Sequence, residues 1–249
     1  MYSRNEKAIY ILWFQGFRNA PDIVRRCLSS WKHYNPDWEI LELDQTNLHQ
    51  YIPDFETNDL FKKPMEKCHL SDIVGCILLD LYGGLWVDAT TFCNRNLNEW
   101  LPEYVQEGFF AFHRPGPDRM ISSWFIYADK SSDIIHKWCQ SIIHYYSIHK
   151  KAEIYFILHS LFNKLYLDDA AFQDSRDRVP KLSANGHGPR FLAERGLFQP
   201  LTDYVRSMID QKRSPLYKLT HKCQFPGYVE NLNLYYLYST IESSSSTGN

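Results

Sequence analysis

The 249-residue sequence lacks an excess of charge of either sign. Its 27 Lys and Arg residues nearly balance its 29 Asp and Glu residues, which leaves a formal net charge of −2. Proteins that bind nucleic acid through its phosphates present a strongly basic surface. The composition gives no sign of such a surface, so no nucleic-acid partner is expected.

Closely spaced cysteine pairs and long apolar segments are also missing. No CxxC pair indicates a zinc site, and no apolar run approaches the length of a membrane-spanning helix. The first residues, MYSRNEKAIYILWFQGF, do not read as a cleavable signal peptide. We therefore expect a cytoplasmic protein with reduced thiols, most of them in the core. The six cysteines are Cys27, Cys68, Cys76, Cys93, Cys139 and Cys223.

Aromatic residues, in contrast, are abundant. The 17 Tyr, 15 Phe and 7 Trp residues make up 16% of the chain. Such side chains fill cores, and they also stack on flat ligands and on sugar faces. The length suits one large domain, which we place at residues 1–240. The end of the chain, ESSSSTGN, is of low complexity, so residues 241–249 are expected to form a disordered polar tail.

The order of apolar patterns predicts an α/β fold. AIYILWF (8–14) reads as a buried strand, the stretch from Pro21 to Tyr34 as a helix, and WEILELD (38–44) as a second strand. A strand, a helix and a strand in this order favour a parallel sheet. A further helix is predicted from Ser71 to Tyr82, and Gly83-Gly84 ends it.

Later patterns predict strands at 85–87, 109–112 and 122–128, with a loop at 113–117 between the last two. Amphipathic spacing predicts helices at 132–147 and 151–167. Beyond Asp168 the pattern becomes irregular, and no internal repeat is found. The predicted fold therefore has a central, mostly parallel sheet and a helical C-terminal portion.

The stretch YGGLWVDATTFC (82–93) places one carboxylate directly after a buried strand. In α/β sheets, ligands bind outside the carboxyl ends of the strands, so Asp88 is predicted to face a crevice. The alternative is that Asp88 caps a turn or the next helix, since Asp is a common turn residue. The spacing alone leaves both interpretations open.

The longer segment HLSDIVGCILLDLYGGLWVDATTF (69–92) resembles the sugar-transfer segment of the capsular polysaccharide synthesis family. This family is related to glycosyltransferase family 32 and to the clostridial glucosylating toxins. The shared pattern is Ser71-Asp72, then Tyr82-Gly83-Gly84, then an apolar strand that closes in Asp88. Further blocks match in order at ILWFQG (11–16), SSWFIYADK (122–130), YFILHSLFNKL (155–165) and SPLYKLTHK (214–222).

The resemblance implies a GT-A (Rossmann-like) fold and a retaining glycosyltransferase. Such an enzyme moves a sugar from a nucleotide-sugar, here expected to be a UDP-sugar, to a growing capsular or surface polysaccharide. The implied partners are the nucleotide-sugar donor and a glycan or lipid-linked glycan acceptor. We expect peripheral association with the inner face of a membrane. The sequence does not indicate an oligomeric state.

The resemblance also assigns roles to individual residues. Trp13 stacks on the base, Asp72 bonds the donor sugar, and Asp88 contacts the ribose and the diphosphate. The structural alternatives are a core indole for Trp13 and a carboxylate at a helix start, beside the Ser71 cap, for Asp72. Asp72 and Asp88 are the predicted catalytic residues.

Two lysines and several neighbours complete the predicted donor site. Lys218 and Lys222 would neutralise the leaving diphosphate, although a solvated face is an equal alternative. Ser122 and Ser123 begin a predicted strand beside the sugar pocket, and His159 is expected to be a core histidine. The predicted cofactor-binding residues are Trp13, Gln15, Asp72, Gly84, Asp88, Ser123, Lys218 and Lys222.

A divalent ion, Mn²⁺ or Mg²⁺, is expected at the diphosphate, because carboxylate and phosphate oxygens are its preferred ligands. The predicted ligands are Asp88, Thr90 and His187, which lies in the Gly-rich stretch SANGHGP. The second Asp of the DXD motif is absent, since the sequence reads Asp88-Ala89-Thr90. A surface-loop histidine is the alternative for His187.

Gly75 is a second departure from the family pattern, because relatives often carry Arg at this position. A close backbone approach to the ligand and an altered donor choice are two explanations. Both departures motivate an alternative function, a non-catalytic glycan- or nucleotide-binding module on a decayed GT-A scaffold. A glycoside hydrolase is a second rival, with Asp72 and Asp88 as its two carboxylates. It is disfavoured because neither carboxylate has an apolar neighbourhood suited to raising its pKa.

Overall fold

The structure is a computed structural model that describes residues 7–222, 229 and 231–242. Its strands are β1 (Ala8–Leu12), β2 (Glu39–Leu43), β3 (Gly84–Asp88), β4 (Thr91–Cys93), β5 (Phe109–Gly116), β6 (Arg119–Ala128) and β7 (Leu216–Lys218). Its helices are α1 (Asp22–Tyr34), α2 (Lys67–Tyr82), α3 (Asp133–Ile148), α4 (Ile157–Asp168), α5 (Ala170–Arg178), α6 (Phe191–Arg195), α7 (Asp203–Asp210) and α8 (Asn233–Glu242).

Five strands form the central sheet, in the order β2-β1-β3-β6-β5. β1 pairs in parallel with β2 and β3, whereas β6 runs antiparallel to β3 and to β5. Four of these five strands therefore point the same way, which confirms the predicted α/β fold with a mostly parallel sheet. β4 and β7 form a separate antiparallel pair, which the sequence patterns did not predict.

Both faces of the sheet are covered. All five residues of β1 are buried, and successive side chains of a strand point to opposite faces. Ile9 and Ile11 pack on the face covered by α1, α7 and α8. Tyr10 packs on the opposite face with residues of α2, α3, α4 and α5. This burial explains why the first strand reads as a continuous apolar run.

α2 leads directly into β3. Gly83 follows the helix with φ 71°, and its N–H donates to the carbonyl of Leu79 at 2.8 Å. The helix begins at Lys67, one turn before the predicted start at Ser71. Its first turn is polar, so the apolar spacing on which the prediction rested begins only in the second turn.

Three other boundaries differ from the prediction. The loop predicted at 113–117 is largely strand, because β5 continues to Gly116 and β6 begins at Arg119. The helix predicted to start at residue 151 starts at Ile157. The region after Asp168, predicted to be irregular, contains α5, α6 and α7, whose short lengths of nine, five and eight residues leave little periodicity to detect.

The chain end is only partly described. α8 includes residues 241 and 242 of the predicted tail, whereas residues 243–249 lie outside the described residues. The division into one domain and a tail stays a prediction. Cys223 also lies outside the described residues, and of the other five cysteines all but Cys68 are buried.

Gly75 allows α2 to approach β3 closely. A Cβ atom built on Gly75 would lie 2.5 Å from Cδ2 of Trp86, whose indole is buried on β3. The close backbone approach is therefore to a core indole and not to a ligand. A side chain as large as arginine does not fit at this position while Trp86 keeps its place.

We predict that Gly75→Ala destabilises the protein. The contact with Trp86 should cost about 1–3 kcal/mol, more than the roughly 1 kcal/mol that alanine adds to helix propensity. Urea denaturation of Gly75→Ala, Trp86→Phe and the double variant would measure the coupling. The double variant should be more stable than the sum of the single effects indicates. A Gly75→Ala protein as stable as wild type would contradict this account.

Candidate active site

The carboxyl edge of the sheet brings the first residues of the site together. Leu12 of β1 lies opposite Asp88 of β3. Trp13 directly follows Leu12, so its indole and the Asp88 carboxylate leave the sheet at the same edge. β6 runs antiparallel to β3, and Phe125 lies opposite Val87, so Ser123, two residues before Phe125, lies at this edge as well.

α2 returns the chain to the same edge and places Asp72 there. The helix rises about 15 Å between Asp72 and Tyr82, at roughly 1.5 Å per residue. β3 then runs about 13 Å back from Gly84 to Asp88, at roughly 3.3 Å per residue. The two lengths nearly match, so the two carboxylates lie at the same level of the fold.

β7 adds a cation from a distant part of the chain. Lys218 lies opposite Thr91 in the β4–β7 pair. Its Nζ atom lies 2.9 Å from Oδ2 of Asp88 and donates to Oγ1 of Thr90 at 2.6 Å. Ammonium, carboxylate and hydroxyl therefore form one connected group at the end of β3.

These side chains line a cavity of about 620 Å³. All of the predicted site residues lie in its wall except Gly84 and His187: Trp13, Gln15, Asp72, Asp88, Thr90, Ser123, Lys218 and Lys222. The wall also contains residues that the sequence did not single out, among them Glu66, Lys67, Arg119, Trp124, Tyr155, Phe156 and His221. The cavity is large enough for a nucleotide-sized ligand.

Asp72 carries the most perturbed carboxyl group of the cavity. Burial raises its pKa well above the ordinary value, and the nearby negative charge of Asp88 raises it further. A hydrogen bond with Ser123 and the charge of Lys218 oppose this rise. Asp72 lies in the second turn of α2, so the interpretation as a helix-start carboxylate capped by Ser71 is wrong. The expectation that neither site carboxylate has a raised pKa is wrong for Asp72 too.

Trp13 and His221 form an aromatic corner of the cavity. Trp13 is only partly buried, and its ring meets that of His221 edge to face, with 5.1 Å between the centroids. Burial first, then the charges of Lys222 and Lys218, lower the pKa of His221. His221 stands between these two lysines in KLTHK, so the block that indicated the lysines also contained this residue.

His159 agrees with its expected burial and also lines the cavity, whereas Ser122 lies away from the cavity. His159 is 7% exposed, and burial followed by the charge of Arg119 lowers its pKa to about 4. It is buried, as expected, but it also reaches the cavity wall. Ser122 is buried and donates to the carbonyl of Phe125 at 3.2 Å, and only Ser123 of this pair lines the cavity.

The structure does not bring Gly84 and His187 to the cavity. Gly84 begins β3 with φ 105°, and a Cβ atom on it would lie 2.7 Å from the carbonyl oxygen of Ala8. Its role is therefore close packing between strands. His187 is exposed, and its Nε2 lies 2.8 Å from the hydroxyl of Tyr204, which agrees with the alternative of a surface-loop histidine.

The residues at the end of β3 do not by themselves make a metal site. Among the described residues, no group of three or more His, Cys, Asp or Glu side chains is placed to hold an ion. Asp88 is the carboxylate at the predicted position, and the Lys218 ammonium already lies against its Oδ2 atom. A cation in contact with the main ligand opposes binding of a second cation. This donor set does not fit a metal ion held by the protein alone.

Comparison with known proteins places the chain in a family. The family described as capsular polysaccharide synthesis protein matches residues 2–238. The chain belongs to this family. None of the helices in the described ranges is both long and apolar enough to cross a membrane.

Curated relatives carry glycosyltransferase names. The chain is 31% identical over 155 residues to the O-glycosyltransferase braB of Annulohypoxylon truncatum, an alignment that covers 55% of this chain and 37% of the relative. It is 23% identical over 158 residues to the O-glycosyltransferase PaGT of Phomopsis amygdali, with 56% and 39% covered. The chain thus spans less than two fifths of the length of these relatives.

A solved structure confirms the fold. The apo-form glycosyltransferase GlyE of Streptococcus pneumoniae superposes with a TM-score of 0.54 at 10% identity. The superposition covers 96% of this chain and 63% of that chain. The predicted GT-A fold and the predicted family are therefore both confirmed.

We predict that Asp72→Asn stabilises the protein at neutral pH. The folded-state pKa of Asp72 is raised, so its favourable contribution is full below the unfolded pKa and is lost as the pH rises through the folded pKa. Asparagine does not titrate. The difference in unfolding free energy, variant minus wild type, should grow from pH 4 to pH 8, to on the order of 1 kcal/mol.

Thermal unfolding across this pH range would measure the difference. Asp59→Asn is the control, because the Asp59 side chain is 97% exposed and solvent screens its charge. Equal differences at pH 4 and pH 8 would contradict the assignment of a raised pKa to Asp72.

Proposed function

We propose that this chain transfers a sugar from a nucleotide-sugar, specifically a UDP-sugar, to a hydroxyl group of a glycan acceptor. One observation carries the proposal. An exposed indole face, two carboxylates and a lysine from four separate segments meet in one cavity at the carboxyl edge of the sheet. The relatives' names support the class of reaction, and the proposal extends it to this chain.

The aromatic corner would hold the base of the donor. A half-buried tryptophan offers one flat face for stacking while its other edge is fixed by the core. The ring of His221 lies edge to face against Trp13, which would hold the indole in place. Gln15 is exposed in the same cavity wall, and its amide group would bond the polar edge of the base.

Lys218 would provide the main electrostatic stabilisation of the leaving diphosphate. In the free protein its ammonium neutralises Asp88. When the bond between sugar and diphosphate breaks, negative charge grows on the phosphate oxygens, and a fixed ammonium stabilises that charge. Lys222 lies in the same wall and would add a second positive charge. Thr90 orients the Lys218 ammonium through their hydrogen bond.

Asp72 would bind the donor sugar in its protonated form. A neutral carboxyl group both donates and accepts hydrogen bonds, and the raised pKa favours this form. Ser123, its hydrogen-bond partner, would hold it in position. In this scheme the acceptor hydroxyl attacks from the face of the leaving diphosphate, which receives the proton, so no protein nucleophile is required.

A Mn²⁺ or Mg²⁺ ion at this place would take most of its ligands from the diphosphate, because Asp88 is the main carboxylate available. Retention of the anomeric configuration and a capsular or lipid-linked acceptor rest on the family resemblance alone. The relatives' names support transfer to oxygen without indicating the acceptor. Peripheral association with a membrane stays a prediction.

A ligand panel would test the donor site. We expect one UDP-sugar to raise the Tm of the wild-type protein by mass action, and Asp88→Ala to lose this shift. Mn²⁺ alone should produce no shift, since the described residues include no group of side chains placed to hold a metal ion. Release of free sugar and nucleotide from the stabilising donor would show that the site is active.

The outcomes separate the functions. Binding of the donor without any hydrolysis or transfer would favour a non-catalytic binding module. No shift with any nucleotide or nucleotide-sugar, on well-folded protein, would contradict the donor site. Glycan cleavage in the absence of nucleotide would favour a hydrolase, for which the raised pKa of Asp72 beside Asp88 is the one supporting observation.

We predict that Lys218→Met lowers turnover by about a hundredfold to a thousandfold, the usual cost of removing one electrostatic stabiliser of the transition state. Donor binding should weaken much less, because Lys222 still faces the cavity. Lys62→Met is the control, since Lys62 is an exposed surface residue paired with Asp59. Equal losses in kcat and in donor affinity would contradict a role for Lys218 in the leaving-group step.

A further inference from the structure

A second cavity, of about 520 Å³, lies beside the β5–β6 hairpin. The hairpin forms one wall, and α4 and α5 form the others. The argument rests on the basic residues that line it: His113, Arg114, Arg119, Arg176 and Lys181.

Arg176 lines this cavity with an unpaired guanidinium group. The residue is 1% exposed, and its Nη1 atom donates to the carbonyl of Val179 at 3.2 Å. Its Nε and Nη2 atoms are buried and have no hydrogen-bond partner in the described part of the chain. The adjacent carboxylate of Asp177 is engaged elsewhere, with Tyr166 at 2.9 Å and Lys181 at 3.2 Å.

The surroundings of Arg176 are positive. The cavity wall contains four cationic side chains and two carboxylates. Arg119 pairs with Asp118 and Lys181 with Asp177, so the charges of Arg114 and Arg176 remain in excess. His113 points its Nδ1 atom into a buried position that lacks a partner among the described residues. Burial lowers the pKa of His113, and the positive charges of Arg176, Arg114 and Lys181 lower it further. Nε and Nη2 of Arg176 are therefore donors for which the described structure supplies no acceptor.

The backbone of the hairpin is held firmly at this place. The His113 N–H donates to the carbonyl of Leu182 at 2.8 Å, and its own carbonyl accepts from Ala184 at 2.9 Å. Arg114 has φ 48°, and its carbonyl accepts from the amide of Asn185 at 2.6 Å. A backbone fixed in this way loses less entropy when a ligand binds beside it.

A buried cation without an anionic partner is costly, and a guanidinium fork matches the oxygens of phosphate and carboxylate. We propose that this cavity is an oxyanion site that holds a phosphate or carboxylate group through Arg176, with Lys181 at its rim. The bound oxygens would accept from Nε and Nη2 of Arg176, which are closed to solvent in the free structure, so that binding requires the side chain to turn toward the cavity.

The position of the site indicates where such a group comes from. Arg119 lines both cavities, and its guanidinium lies 4.2 Å from the ring centre of Phe156 in the donor cavity. Along the hairpin, Arg114 faces the anion cavity and Pro115 the donor cavity. We infer that the site receives an anionic substituent of the acceptor. This second step rests on the proposed function.

Calorimetric titration with inorganic phosphate, at constant ionic strength and with saturating UDP, would test the site. Wild type should bind phosphate, and Arg176→Met should bind it about ten- to a hundredfold more weakly, as expected for the loss of charge-assisted hydrogen bonds. Lys181→Met, at a side chain that is 49% exposed, should weaken binding by a smaller factor and keeps the test valid if Arg176→Met fails to fold.

Arg178→Met is the matched control. Arg178 lies on the same helix, is exposed and pairs with Glu107, so its loss should leave phosphate affinity unchanged. No phosphate binding by wild type, or equal affinity in wild type and Arg176→Met, would overturn the proposal and leave the cavity to water.

Three further ligands test the source and the kind of the anion. Glucose 6-phosphate should bind wild type at least as tightly as inorganic phosphate does, and Arg176→Met should lose this binding. Glucose should not compete with phosphate for the site. Exclusion of glucose 6-phosphate would overturn the acceptor step and leave a site for a free ion. Acetate would report whether a carboxylate suffices. If UDP fails to bind while phosphate binding depends on Arg176, the proposed function fails and the anion site stands.

Discussion

The contact between the backbone of α2 and the indole of Trp86 sets the geometry on which the candidate site depends. Without a side chain at Gly75, the helix lies directly on β3. The helix and the strand then run in opposite directions, joined by Gly83. The N-terminal part of α2 therefore lies level with the C-terminal end of β3. Asp72 and Asp88 are carried to the same edge by this packing, although no bond between them is needed to place them.

The resulting site places two carboxyl groups, Asp72 and Asp88, where their charges destabilise the folded protein. Burial disfavours the charged form of Asp72, and the nearby Asp88 carboxylate disfavours it further. Lys218 relieves part of this cost through its contact with Asp88. An electrostatic cost of this kind is common at binding sites, where polar groups are held in position before the ligand binds. The free protein gives up some stability so that its cavity presents an ammonium and a carboxyl group in fixed positions.

The sequence predicted the parts of this arrangement that follow from apolar patterns. Buried strands read as continuous apolar runs, and residues after them were expected at the carboxyl edge, where Trp13 and Asp88 lie. It missed the polar first turn of α2 and the extent of the β5–β6 hairpin, because neither has a distinct apolar period. It also missed the environment of Arg176, since the α5 segment is polar and the burial of Arg176 depends on packing against distant segments.

The β4–β7 pair has a consequence for the order in which the chain is made. Lys218 lies 128 positions after Thr90, with which it shares a hydrogen bond. During synthesis the central strands leave the ribosome well before β7 does. The growing chain can therefore form its sheet and expose its acids while the lysine is still missing. Charge balance at the edge of the sheet is therefore established only after β7, which lies far along the chain from β3, has been translated.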